Sequence, residues 1–173
     1  YPLRRQRQMC IRDSLHEVLY RSETLARINL AVYVEELCIH LVRSFGQTAE
    51  CVEVERRVDP VKLPLDLAVP CGLIINELVT NALKYGYPRG QRGKVVVAVT
   101  RQEGRVDLLV QDDGVGLPQG FDPATTSSLG LLLAMNLAEQ LGGKLAWEQP
   151  DRGGALFRVR FVAPAFIEEG GRA

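Results

Sequence analysis

The chain has 173 residues, 46% of them hydrophobic, with 21 basic and 21 acidic side chains. That length suits a single domain, and the apolar share is enough for a core, which excludes wholesale disorder. Balanced charge argues against a nucleic-acid module, which carries a basic excess, and gives no reason to invoke an anionic membrane surface.

Residues 1–13 are basic, polar and aperiodic, with neither an initiator Met nor an apolar signal core, so the chain reads as a fragment. No apolar run reaches the roughly 20 residues of a membrane span, so a cytoplasmic location is expected, with any anchor upstream. Ser14 and Glu17 have capping-box spacing and open a short helix. Leu30, Val34, Leu37, Leu41 and Phe45 form one stripe of a helix over 30–44 that Gly46 ends. Residues 51–58 alternate as a strand, and Pro60 and Pro64 punctuate a loop. A long helix follows over 66–85, provided Pro70 falls in its first turn, and Gly86 and Pro88 close it. Strands over 94–100 and 105–112 turn at Glu103-Gly104. Residues 113–128 are rich in Gly, Pro, Asp, Ser and Thr, a loop too long for a simple hairpin. Ser128 caps a helix over 129–141 that Gly142-Gly143 terminates, and strands over 144–149 and 155–162 finish the fold. Residues 164–173 read as a loose tail. Helices interspersed with hairpins imply an α+β, two-layer α/β sandwich: a mixed, mostly antiparallel sheet with helices on one face, plus a short helical lead-in.

The four cysteines, Cys10, Cys38, Cys51 and Cys71, fall at no metal-ligand spacing and read as reduced thiols. Four segments carry candidate chemistry. On the long helix, Glu77, Asn81 and Lys84 or Tyr85 line one edge at i, i+4, i+7/8 spacing. The Asn81 amide oxygen suits Mg²⁺, which takes few protein ligands and leaves the rest to phosphate and water. Lys84 can meet phosphate as a point charge, and Glu77 can orient or deprotonate a nucleophile. A solvated helix face is the plainer alternative. In the second segment, Asp112 shares strand parity with Val106, Leu108 and Val110, so it points inward. A buried carboxylate needs a donor, and an adenine amino group is one. Gly114 and Gly116 permit a sharp turn and close ligand approach. Third, Ser128, Gly130 and Leu131 open a helix whose free N–H groups attract phosphate. Fourth, Asp151–Phe157 is a glycine turn into the last strand; a hairpin turn is its plain reading.

In this order the segments resemble the ATPase family shared by histidine kinases, Hsp90, DNA gyrase B and MutL. Residues 76–85 resemble its N box, 112–116 and 128–131 its two glycine boxes, and 153–157 its closing turn. Residues 15–22, 76–85 and 137–143 are similar to the HWE-like branch of two-component histidine kinases. The resemblance implies a Bergerat-type ATP-binding domain in which Asn81 holds Mg²⁺, Glu77 acts as base or positions water, and Asp112 reads adenine. Gly114 and Gly116 would shape the start of an ATP lid, Ser128, Gly130 and Leu131 would place backbone donors at the phosphates, and Tyr85 would border the nucleotide. Two departures stand out. Ser128 occupies a position where that family carries Gly, and Ala155 one where it carries Thr; losing that hydroxyl weakens nucleotide binding by about one hydrogen bond, roughly 0.5–1.5 kcal/mol.

With the resemblance, the chain divides into an unstructured or non-native lead (1–13), a helical segment ending the dimerisation and phosphoacceptor region (14–46), the ATP-binding catalytic domain (47–163) and the loose tail (164–173). It implies ATP and Mg²⁺ as ligands, and as partners an acceptor helix, a response regulator and a second copy joined upstream. His16 and His40 lack the acceptor context of that branch, so the acceptor histidine is expected on a missing upstream helix. The competing readings are a nucleotide-responsive module without phosphotransfer, an anti-sigma-factor-type serine kinase, and a purely structural domain.

Overall fold

Alternation along the strands builds the sheet. In the strand Arg105–Asp112, every second residue from Val106 onward is buried, ending with Asp112. Val95, Val97 and Val99 of the preceding strand face them in antiparallel register, opposite Asp112, Val110 and Leu108. The computed structural model describes residues 27–46, 51–123, 125 and 128–163. Along them run β1 (Arg27–Asn29), α1 (Leu30–Phe45), β2 (Val52–Val58), β3 (Lys62–Pro64) and α2 (Leu65–Asn81). A π turn (Ala82–Gly86) and a 3-10 turn (Pro88–Gly90) lead to β4 (Gly93–Gln102), β5 (Arg105–Asp112), α3 (Leu129–Gln140), β6 (Leu145–Glu148) and β7 (Leu156–Val162).

Strands β2-β4-β5-β7-β6 form one sheet, with β2 and β4 parallel and the other three pairs antiparallel. This is the mixed, mostly antiparallel α+β architecture expected. Helix α2 lies between α1 and α3 and packs on β4 and β5. The opposite face of the sheet carries charge pairs such as Lys94–Glu55 and Arg160–Asp107, both at 2.9 Å. Such exposed pairs add little stability and mainly keep that face wet.

Three local features depart from the sequence expectation. First, the segment read as a loop around Pro60 and Pro64 contains β3, which pairs with β1. Three-residue strands are too short to show alternation. Their ribbon is held by Leu63, fully buried, and by the Leu30 N–H donating to the Val61 carbonyl at 2.9 Å. It delivers Asn29 as the cap of α1, where the Asn29 side chain accepts from the Ala31 N–H at 3.1 Å. Second, Pro70 is the sixth residue of α2, not a first-turn residue. Its missing N–H deprives the Asp66 carbonyl of a helical partner, and Asp66 is exposed, where water can take that role. Third, the α-helix ends at Asn81, and residues 82–86 continue as a π turn, a widened turn often found at functional sites.

Helix α1 contributes Leu30, Val34, Cys38 and Leu41 to the same core as the sheet and α2. Burial pushes the Cys38 thiol up to about 11 and the Cys71 thiol up to about 12, so both stay protonated and inert at neutral pH. Cys10 and the Ser14–Glu17 capping box lie outside the described residues. Leu65–Gly86 is long and apolar enough by length and composition to cross a bilayer. Here it is the central core helix: Ile74, Ile75, Leu78 and Val79 are buried, while Glu77 and Asn81 face a cavity.

If Leu63 anchors the β1–β3 ribbon, Leu63→Ala should lower unfolding free energy by about 2–5 kcal/mol in a urea titration, the range for a truncated core leucine. A loss below about 1 kcal/mol would mean the ribbon is peripheral to the core.

Candidate functional site

Between α2 with its π turn, the ends of β5 and β7, the loop after β5 and the start of α3 lies a cavity of about 620 Å³. Glu77, Asn81, Lys84, Tyr85, Asp112, Gly116, Ser128, Gly130 and Leu131 all line it. The volume is ample for a nucleotide-sized ligand. A second cavity of about 570 Å³, around Arg105, Asp107, Gly142 and Arg160, contains none of these residues.

Asp112 sits at one end of the cavity, beside Val110, Ala155 and Phe157. It is the only buried charged residue among those described, 7% exposed. Strand parity forces it inward, because the residues two and four before it are core valine and leucine. Burial raises its carboxyl above the ordinary range, and the neighbouring Asp113 charge adds to this. The Gly114 N–H, donating to Asp112 Oδ1 at 2.9 Å, and then the Ala155 backbone N–H work in the opposite direction. The Asp112 backbone N–H donates to the Ala155 carbonyl at 2.9 Å, tying the end of β5 to β7. A Cβ on Gly154 (φ +82°) would fall 1.9 Å from the Asp112 carbonyl oxygen, so only glycine lets this turn close.

The other end is made by α2 and α3. Ser128 caps α3, its hydroxyl accepting from the Leu131 N–H at 3.5 Å, a long contact. Leu129, Gly130 and Leu131 bring the first turn of α3 to the cavity wall, where a helix presents N–H groups and positive potential. Gly130 faces Glu77: a Cβ there would meet Glu77 Oε2 at 2.2 Å. Glu77 Oε1 accepts from the Asn76 amide at 3.1 Å. Asn81 Nδ2 is buried with no hydrogen-bond partner. Leaving an amide so costs about 1–3 kcal/mol, which a polar ligand in the cavity would offset. Lys84 and Tyr85 are exposed at the mouth on the π turn.

Gly114 differs from the expectation that it belongs to the ligand-binding set. It is absent from the cavity wall and instead packs on Gly86, where a Cβ would come within 2.3 Å of the Gly86 carbonyl oxygen. Its part is to let the end of β5 and the end of α2 touch. Sequence reasoning missed Leu117 and Phe121, which lie in the loop and line the cavity. Phe121 meets Trp147 and Phe157 edge-on, at 6.4 and 6.3 Å between ring centres, and holds the loop against β6 and β7. Its one visible signal was an aromatic ring in an otherwise polar, Gly- and Pro-rich stretch. His40 is exposed on α1 and does not line the cavity. His16 lies outside the described residues.

Comparison with known proteins agrees with this geometry. The family described as "Histidine kinase-, DNA gyrase B-, and HSP90-like ATPase" matches residues 68–165. Sensor histidine kinase PdtaS of Mycobacterium tuberculosis is 30% identical over 121 residues, which cover 69% of this chain and 24% of PdtaS. Blue-light-activated histidine kinase 2 of Erythrobacter litoralis is 30% identical over 119 residues, 68% of this chain and 34% of the relative. The chain thus spans about a quarter to a third of these relatives. Among solved structures, the histidine kinase domain of the Erythrobacter litoralis EL346 blue-light activated histidine kinase superposes with a TM-score of 0.72 at 24% identity, covering 79% of this chain and 62% of that one. The catalytic domain of histidine kinase ThkA superposes at 0.65 with 20% identity, covering 80% of this chain and 95% of that one. Both likenesses support the fold.

A raised carboxyl binds its proton more tightly in the folded chain than in the unfolded one. Stability therefore falls as pH rises from the ordinary carboxylate value, about 4, through the raised folded value. Asp112→Asn should melt at or above wild type at neutral pH, and the difference should shrink as pH falls below that window. A variant clearly less stable than wild type at neutral pH would show that the buried charge is no burden.

Proposed function

Because this chain belongs to the histidine kinase-, DNA gyrase B- and HSP90-like ATPase family, we propose that it is the ATP-binding catalytic domain of a bacterial two-component sensor histidine kinase. In this reading it transfers the γ-phosphoryl of ATP to a histidine on an upstream acceptor helix, from which a response regulator receives it. The observation that carries the proposal is the pairing in one cavity of a buried carboxylate, Asp112, and a part-buried carboxamide, Asn81, whose Nδ2 is buried without a hydrogen-bond partner.

The division of labour follows from chemistry. The Asp112 carboxylate accepts from the Gly114 N–H and is also held by the Ala155 backbone N–H, and its remaining lone pairs can accept from a donor on the base. Ala155 supplies no hydroxyl there, so base recognition rests more heavily on that one carboxylate. Leu117, Phe121 and Phe157 give the same end an apolar wall for a purine. At the far end, the first turn of α3 offers N–H groups and positive potential to phosphate, and Lys84 offers a charge at the mouth. Asn81 would hold Mg²⁺ through its single amide oxygen, in keeping with a cation that takes few protein ligands and neutralises charge on the transferring phosphoryl. Glu77 is the carboxylate near enough to the phosphate end to accept the proton of, or orient, an incoming imidazole. Dimerisation and stimulus belong to the rest of the parent protein, and a cytoplasmic location follows from the need for ATP.

Two outcomes are expected. Asp112→Asn should weaken Mg-ATP binding in calorimetry by about ten- to a hundredfold, the worth of a hydrogen bond to a charged group. With labelled ATP and an acceptor-helix domain of the same kinase branch, wild type should give acid-labile, base-stable label, and Glu77→Gln should bind ATP while losing most transfer. Unchanged binding in Asp112→Asn, or label stable to acid, would contradict the proposal.

A further inference from the structure

Behind the cavity, outside its lining, sits a residue that no motif reading singled out. Tyr87 follows the π turn directly, and its side chain is buried, 4% exposed. The ring lies flush on β4: a Cβ on Gly93 would come within 2.0 Å of Tyr87 Cε1. Its hydroxyl proton is shared between two acceptors, the Lys94 carbonyl at 2.7 Å and Asp113 Oδ1 at 2.9 Å. The same oxygen lies 3.3 Å from the Asp113 N–H, which also donates to the Lys94 carbonyl at 3.2 Å. Asp113 Oδ1 in turn accepts from the Lys94 N–H at 2.7 Å. One phenol therefore joins the end of α2, the start of β4 and the end of β5. Next to this joint, the Val115 N–H donates to the Gly86 carbonyl at 2.9 Å, and Gly114 rests on Gly86.

The two ends of the cavity belong to different elements: Asn81 to α2, Asp112 to β5. Nothing in helix or strand geometry alone fixes how far apart their side chains stand. We propose that Tyr87 is a positioning residue: by binding Asp113 it sets Asp112 relative to α2 and so aims the Asp112 carboxylate at the base. This rests on the nucleotide reading above and goes beyond it. Burial first, and then the Asp113 carboxylate accepting its hydroxyl, hold the phenol well above its ordinary range, so it remains a donor at any physiological pH. Strand parity alone would make Asp113 merely solvent-facing; here it is the carboxylate through which the phenol reaches β5.

The test uses two nucleotides, Mg-ATP and the Mg complex of purine riboside triphosphate, which lacks the 6-amino group. Calorimetric titration of the wild-type chain should show a preference for ATP of about tenfold or more, as expected for a hydrogen bond to a charged group. Tyr87→Phe keeps the ring over Gly93 and removes only the hydroxyl. It should lose most of that preference through weaker ATP binding, while its affinity for purine riboside triphosphate stays near wild type. A tyrosine that only supports the fold would weaken both nucleotides alike and leave the ratio intact, and that result overturns the proposal. Should Tyr87→Phe fail to fold, Asp113→Ala carries the same test, since it removes the oxygen that accepts the Tyr87 hydroxyl while the ring stays over Gly93; a full preference retained there also overturns it. A wild-type chain that binds neither nucleotide, or binds both equally, refutes the base-reading site itself, and this proposal with it.

Discussion

A carboxylate in an apolar interior is the constraint around which this molecule is arranged. Strand parity sends Asp112 inward with Val106, Leu108 and Val110, and the core cannot solvate it. The chain responds with glycine. Gly114 supplies an N–H to one carboxylate oxygen, and Gly154 allows the closing turn to come within touching distance of the Asp112 backbone. What remains is a buried carboxylate on a cavity wall, with lone pairs left for one more donor. A stable domain has no use for such a group, whereas a site that must distinguish one base from another does.

The cavity exists because of topology. Strand β5 is interior, between β4 and β7, and its end meets the end of α2 through Gly86, Gly114 and Val115. Helix α3 then returns its N-terminus beside Glu77 on α2. Segments more than fifty residues apart in sequence thus supply the walls, and the Phe121–Trp147–Phe157 cluster fastens the intervening loop to the sheet. The two ends are chemically unlike: one joins the Asp112 carboxylate to apolar walls, the other joins the N–H groups of α3 and the Lys84 cation to the Glu77 carboxylate. That polarity matches a ligand with an amino-bearing ring at one end and polyanionic charge at the other.

Much of this was legible in the sequence. Period-two alternation fixed the direction of Asp112, and helical spacing put Glu77 and Asn81 on one edge; both side chains line the cavity. The glycines and Ser128 marked where elements stop and start. The unread parts have physical reasons. Strands β1 and β3 are three residues each, below the length at which alternation speaks. The π turn has no propensity signature of its own, and the packing of its last residue, Gly86, on Gly114 is a contact between distant segments. The Tyr87–Asp113–Lys94 joint and the Phe121 anchor are tertiary contacts between distant segments, which local pattern does not encode. Pro70 shows the reverse case, a strong local rule overridden because Asp66 lies where solvent can serve its carbonyl.

The central claim is that the acidic end of β5 and the first turn of α3 close on a single ligand. The most direct test follows backbone amide resonances of the chain as Mg-ATP is added. The account predicts that Gly86, Gly114 and Ala155 at one end, and Gly130 and Leu131 at the other, shift together along one saturation curve. Shifts confined to one end, or centred on Gly142 and Phe161 at the second cavity, would contradict it.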